Sequence, residues 1–194
     1  TGDWSSDVCS SDLPLRVRRP IAELAAKGQV IEIAEKIGNF ERLAGIVEAD
    51  LATLDPDKIP HDWRDSMVTG WLEFGFADAQ KQVVSLVGEL AVTLDAVCQR
   101  CLEPFRLSLA TGLRLLPTTV EQGVSAGNDF EPWELEDERV CPAEIVEEVL
   151  IMAMPLSAMH ENSAACKGYE PADEEAQQTT RPFAALKAQL DQDK

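Results

Sequence analysis

Three runs of apolar and polar alternation, separated by one polar turn and one C-x-x-C knuckle, occupy the middle of the chain. In residues 66–77, Val68, Leu72, Phe74 and Phe76 share one face, and Thr69, Trp71, Glu73 and Gly75 the other. After the polar turn DAQKQ, residues 83–97 place Val84, Leu86, Leu90, Val92 and Leu94 together. Ser85, Val87, Glu89, Thr93 and Asp95 lie opposite. Behind CQRCLE, residues 105–115 set Phe105, Leu107 and Leu109 against Arg106 and Ser108. A period of two marks a half-buried strand. Connections this short join antiparallel neighbours, because a parallel pair needs a long crossover. The pattern predicts a hairpin with a third strand paired back after the knuckle, one face buried.

The flanks add helices. Arg16, Arg18 and Arg19 precede IAELAAKG, a weak helix or turn ending at Gly28, and residues 29–34 alternate as a further strand. Asn39 is placed to cap a helix carrying Leu43, Ile46, Val47, Leu51 and Leu54 on one side; Pro56 and Pro60 then break the chain. Residues 117–138 are rich in Pro, Gly and acids and read as a long loop. Cys141-Pro142 opens a second helix, with Ile145, Val146, Val149 and Leu150 inward and Glu144, Glu147 and Glu148 solvated, ending at Pro155. The fold class is α+β: a twisted antiparallel sheet with helices packed on one face, a long acidic loop and a disordered C-terminal linker. The domain spans residues 14–162, the linker 163–180, and an amphipathic motif 181–194.

Residues 1–13, TGDWSSDVCSSDL, show neither period and lack an initiator Met. Asp3 to Leu13 reads as the translation of a sequencing adapter, the alternative being an ordinary polar N-terminus. As a scar it drops out of the fold, and the native start is then expected to be missing. Removing Asp3, Asp7 and Asp12 takes the formal charge from -18 to -15. An acidic chain of this size does not bind bare phosphate through its overall field, which argues against DNA and favours basic partners. Neither an apolar run long enough to span a membrane nor a secretory signal is visible, so a cytoplasmic, reducing location is expected.

Cys98 and Cys101 have the spacing of two ligands to one tetrahedral Zn²⁺, and His160 and Cys166 are available to complete a Cys₃His set. The alternatives are thiols that pack a tight turn and, as a second function class, a zinc-ribbon-like enzyme or redox protein built on the knuckle, although no βαβ context surrounds the motif. Common catalytic signatures such as a P-loop, G-x-S-x-G or H-E-x-x-H are absent, so no enzyme is expected. His61 has no nearby nucleophile and reads as a surface loop residue. Arg100, Arg106 and Arg114 interrupt the acidic surface on the knuckle and third strand and are the candidates for RNA contact. Arg181, Pro182 and Phe183 with Leu186 and Leu190 form a short apolar face beyond the linker. That face suits docking on its own domain or, slightly preferred, on a partner.

Three segments in order, LAVTLDAVCQRCLEPF, EIVEEVLIMAMPLSAMHENSAAC and RPFAALKAQL, resemble the YceD family of large ribosomal RNA subunit accumulation proteins. In many of its members a second cysteine pair follows the proline turn, where this chain has His160 and Cys166. The resemblance implies a role in synthesis, processing or stability of 23S rRNA and no known enzymatic reaction. The implied partners are precursor 23S rRNA, a large-subunit ribosomal protein or an assembly factor.

Overall fold

The computed structural model describes residues 15–118, 129–135, 137–162 and 165–166. Its elements run β1 (Arg19–Pro20), α1 (Ile21–Ala26), β2 (Val30–Lys36), α2 (Glu41–Leu51), β3 (Met67–Phe76), β4 (Val84–Val97), β5 (Pro104–Thr118), β6 (Glu131–Glu134), β7 (Arg139–Val140) and α3 (Pro142–Ala153). Five strands form one sheet in the order β2-β3-β4-β5-β6, and β1 pairs with β7. The four strands from β2 to β5 are antiparallel, as the alternation and tight turns demand. The fold class is α+β. No helix among the described residues is long and apolar enough to cross a membrane.

One face of the sheet is covered. Ile31, Ile33, Val68, Leu72, Phe74, Leu86, Leu90, Val92, Leu94, Leu109 and Leu113 are all buried in one cluster. Onto them pack Ile21 and Leu24 of α1, Leu43, Val47 and Leu51 of α2, and Ile145, Val146 and Leu150 of α3. Gly70 sits at φ +151, where a Cβ would stand 2.1 Å from the Glu89 carbonyl oxygen. Only glycine lets β3 and β4 approach so closely there. The turn at 78–82 is tied by Asp78, whose carboxylate accepts from the N–H groups of Gln82 and Val83.

Several expectations are corrected. The acidic stretch 117–138 takes in the last two residues of β5 and the strand β6, which pairs parallel to β5 at the sheet edge; β7 follows it directly. Glu131 and Pro132 mask a strand in a sequence reading because an edge strand tolerates both charge and proline. Ile46 is 40% exposed, and Ala44 takes the inward position instead. Asn39 does not cap α2: it lies in a 3-10 turn, Ile37–Asn39, and its side chain donates to Glu35. Phe40 is the residue at the cap position and offers no side-chain acceptor.

The acceptor comes from α3. Glu147, expected in solvent, is 8% exposed, and its Oε1 accepts from the N–H groups of Arg42 and Leu43 at 2.6 and 3.0 Å. Those donors belong to the first turn of α2, where the helix has no internal partners for them. A carboxylate there satisfies two orphan donors and meets the positive end of the helix dipole. Glu148 adds an exposed ion pair to Arg42. The alternation rule that reads a helix face as polar and therefore solvated fails when another helix end supplies the hydrogen bonds. Glu147→Ala should lower stability by about 2 kcal/mol in urea unfolding. Glu144→Ala, which breaks only the exposed pair with Arg18, should cost less than about 1 kcal/mol. Equal costs for the two would contradict the capping role.

Candidate metal centre

The knuckle is the turn between β4 and β5. Cys98 N–H donates to the Glu103 carbonyl at 3.0 Å, and Leu102 N–H donates to the Cys98 carbonyl at 2.8 Å. Leu102 adopts φ +58, which closes the loop tightly enough to hold both cysteine side chains on one side. Asp50 of α2 fixes the strand end by accepting from Val97 N–H at 2.8 Å. Lys58 pairs with Glu103 on the outer edge. After α3, Pro155 turns the chain back over the knuckle, where the Ala158 carbonyl accepts from Gln99 N–H at 2.8 Å. The His160 ring rests against Phe105, with centroids 4.8 Å apart.

This return brings four donors together. Cys98 Sγ lies 3.9 Å from Cys166 Sγ. His160 Nδ1 lies 3.7 Å from Cys101 Sγ and 3.4 Å from Cys166 Sγ. All four ligand atoms fall within 4.8 Å of one another. A Zn²⁺ tetrahedron built on bonds of about 2.3 Å to sulfur and about 2.0 Å to nitrogen has edges of roughly 3.8 Å and 3.5 Å. Residues 163–180 were expected to be linker, yet Cys166 is 4% exposed and belongs to the site, so the folded unit extends beyond residue 162. Cys141, also buried, faces the Leu15 carbonyl and takes no part in the cluster.

The electrostatics divide the thiols. Burial pushes the Cys98 thiol up, but backbone N–H groups of His160, Cys101 and Arg100 and the His160 side chain outweigh it and bring the pKa down to about 5. Burial and the neighbouring Cys101 and Cys98 sulfurs raise Cys166. Backbone N–H groups aimed at a sulfur stabilise a thiolate, the form that binds metal. Arg100 places Nη1 4.0 Å from Cys166 Sγ and Nη2 3.8 Å from Met159 Sδ. A cation there offsets the negative charge of clustered thiolates.

The three candidate RNA contacts do not form one patch. Arg100 faces the sulfur cluster. Arg106 and Arg114 share the sheet face opposite the helices, about 27 Å apart along β5 at the usual strand rise. Arg106 stands across from Asp95, with Nη1 3.7 Å from Oδ2. Asp95 is 6% exposed, and its Oδ2 has no hydrogen-bond partner. Arg114 lies over the Phe130 ring at 5.2 Å. His61 is exposed in its loop. Arg181, Pro182, Phe183 and Leu186 lie outside the described residues. Sequence reasoning missed Asp95, although counting outward from the knuckle pairs it with Arg106.

Residues 86–190 match the family described as "Large ribosomal RNA subunit accumulation protein YceD". The chain is also similar to the Large ribosomal RNA subunit accumulation protein YceD of Haemophilus influenzae. The two are 33% identical over 129 residues, covering 63% of this chain and 72% of that one. No solved structure matches. The family match takes in nearly all of β4, the knuckle, β5, α3 and all four cluster residues. On a match over more than half its length, and on this relative, the chain belongs to the YceD family.

Proposed function

We propose that this chain is a non-catalytic, cytoplasmic factor in ribosome biogenesis that supports the synthesis, processing or stability of 23S rRNA. The observation that carries this reading is the match of residues 86–190 to a family whose description names accumulation of the large ribosomal RNA. The partners it fits are precursor 23S rRNA, a large-subunit ribosomal protein or an assembly factor. With a formal charge of -18, a basic protein is attracted by the whole surface, whereas RNA is met only at local cations. Arg100, Arg106 and Arg114 are those cations. In a strain lacking the gene, mature 23S rRNA should fall relative to 16S, measured by gel densitometry and sucrose gradients at several temperatures. An unchanged ratio throughout would refute the role.

The cluster is read as a structural Zn²⁺ site held by Cys98, Cys101, His160 and Cys166. Four converging donors favour metal over a redox dithiol, which needs only two. Zinc supplies no reaction in this reading; it ties the tip of the β4–β5 hairpin to the segment after α3. Three thiolates, one neutral imidazole and Zn²⁺ leave one net negative charge, beside which Arg100 is well placed. Protein purified without chelator should carry one equivalent of zinc. Cys98→Ser and Cys101→Ser should each lose most of it and lower the melting temperature. Less than about a tenth of an equivalent in the unaltered protein would exclude the site.

Testing Arg106 as an RNA contact requires care with Asp95. Burial raises the Asp95 carboxyl, and Arg106 draws it back down. A raised folded-state value means folding disfavours the carboxylate. That penalty is absent below the unfolded value near 3.9 and appears as pH rises through the folded value. Asp95→Asn should therefore stabilise the protein at pH 7 and lose its advantage in acid. Arg106→Gln alone should cost about 1–3 kcal/mol by leaving a buried charge unpaired. The pair Asp95→Asn with Arg106→Gln restores the balance. If that folded double variant retains RNA with an unchanged salt slope, Arg106 makes no phosphate contact.

A further inference from the structure

A groove of about 500 Å³ opens between the C-terminal half of α3 and the β5–β6 edge. Leu113 and Leu115 of β5, Trp133 of β6, and Ile145, Val149 and Met152 of α3 form its walls. Met152 stands 75% exposed on the lip. Carboxylates of Asp129, Glu131 and Glu148 rim it, and Glu148 is held by Arg42. Its size falls in the range of pockets that take up a ligand, and its character is apolar with an acidic border.

The chain carries a segment of complementary character. Phe183, Leu186 and Leu190 repeat at i, i+3 and i+7, and Arg181 and Lys187 supply cations. Residues 181–194 lie outside the described residues, and it is their sequence that matches. Residues 167–180 connect them to Cys166, and fourteen residues span at most about 46 Å. Helix α3 is about 18 Å long, and its C-terminal end leads through Pro155 to the cysteine cluster. The groove is therefore within reach of the segment. The family match from residue 86 to 190 also takes in every wall of the groove together with the three apolar positions.

We propose that residues 181–190 seat in this groove of their own chain, with Phe183, Leu186 and Leu190 against α3 and β6, and Arg181 and Lys187 toward Asp129 and Glu131. An apolar face of three residues does not hold a helix alone, so the segment folds where it is received. The tether gives an effective concentration in the millimolar range, and weak intrinsic affinity is sufficient. The docking goes beyond the proposed role in rRNA accumulation and depends on neither zinc nor RNA.

The test uses the full chain with a benzoylphenylalanine photo-cross-linker in place of Phe183. Irradiation at concentrations where the chain is monomeric should give intrachain cross-links to peptides containing Val149, Met152 or Trp133. In the unmodified protein, tryptic cleavage after Lys187 should be slow; Arg181 is followed by Pro182 and resists cleavage. Met152→Asp should speed the Lys187 cut roughly tenfold with the circular dichroism spectrum unchanged. That fold-change corresponds to about 1.4 kcal/mol of lost docking. Cross-links formed only between chains would make a second copy the occupant and overturn the proposal. Cross-links elsewhere in the chain, or equal cleavage rates in both proteins, would overturn it as well.

Discussion

The register of β4 on β5 is the constraint from which the rest follows. It runs without a break from Val97 opposite Pro104 to Leu86 opposite Leu115. That alignment sends Leu86, Leu90, Val92 and Leu94 to the helices together with Leu109 and Leu113. It also leaves Asp95 beside Arg106 on the other face and puts both knuckle cysteines at the closed tip of the hairpin. A slip of one residue would turn every side chain to the wrong face. The tight knuckle, with Leu102 at positive φ, fixes the register from one end. The glycine at position 70 fixes how closely β3 joins from the side.

Helix α3 links this hairpin to everything else. Its inward face fills the core over β5, while Glu147 crosses to the first turn of α2 and its start is braced by the N-terminal segment. Ala143 N–H donates to the Leu15 carbonyl, and Arg139 of β7 reaches the Arg18 carbonyl. At the other end Pro155 stops the helix and returns the chain to the knuckle. One element thus settles the entry of α2, the docking of the N-terminal segment and the position of His160. A polar residue on its buried side is tolerated because two unpaired amides await it.

Much of this was legible in the sequence, for physical reasons that differ by element. The strands β2 to β5 announce themselves because one face meets water and the other does not. Glu147 and β6 do not, since the first depends on a helix end more than a hundred residues away, and the second on an edge pairing that hydrophobic periodicity does not encode. The cluster of Cys98, Cys101, His160 and Cys166 was readable as a list of ligand types. That they converge depends on Pro155 and the Ala158–Gln99 hydrogen bond, which no spacing rule predicts. Cys166 was placed in a polar linker on composition, yet a single ligand needs no apolar neighbours in sequence to be buried in space.

The two halves of the fold are constrained in different currencies. Phe40, Leu43, Leu51, Leu72 and Phe74, all before residue 86, supply a large share of the buried side chains, yet the family match begins only at residue 86. A core position accepts exchange among apolar residues of similar volume. The knuckle has no such latitude. A sulfur cannot be replaced by an isosteric hydrocarbon and still act as a donor, and the backbone N–H groups aimed at Cys98 require that turn and no other. Glu147 imposes an intermediate demand, since it needs two free amides at the start of α2 but no particular side chains there. Chemistry therefore dictates residue identity most narrowly in the hairpin tip and the return after α3, while the N-terminal half chiefly fills volume, apart from the close approach at Gly70 and the acceptor at Asp50.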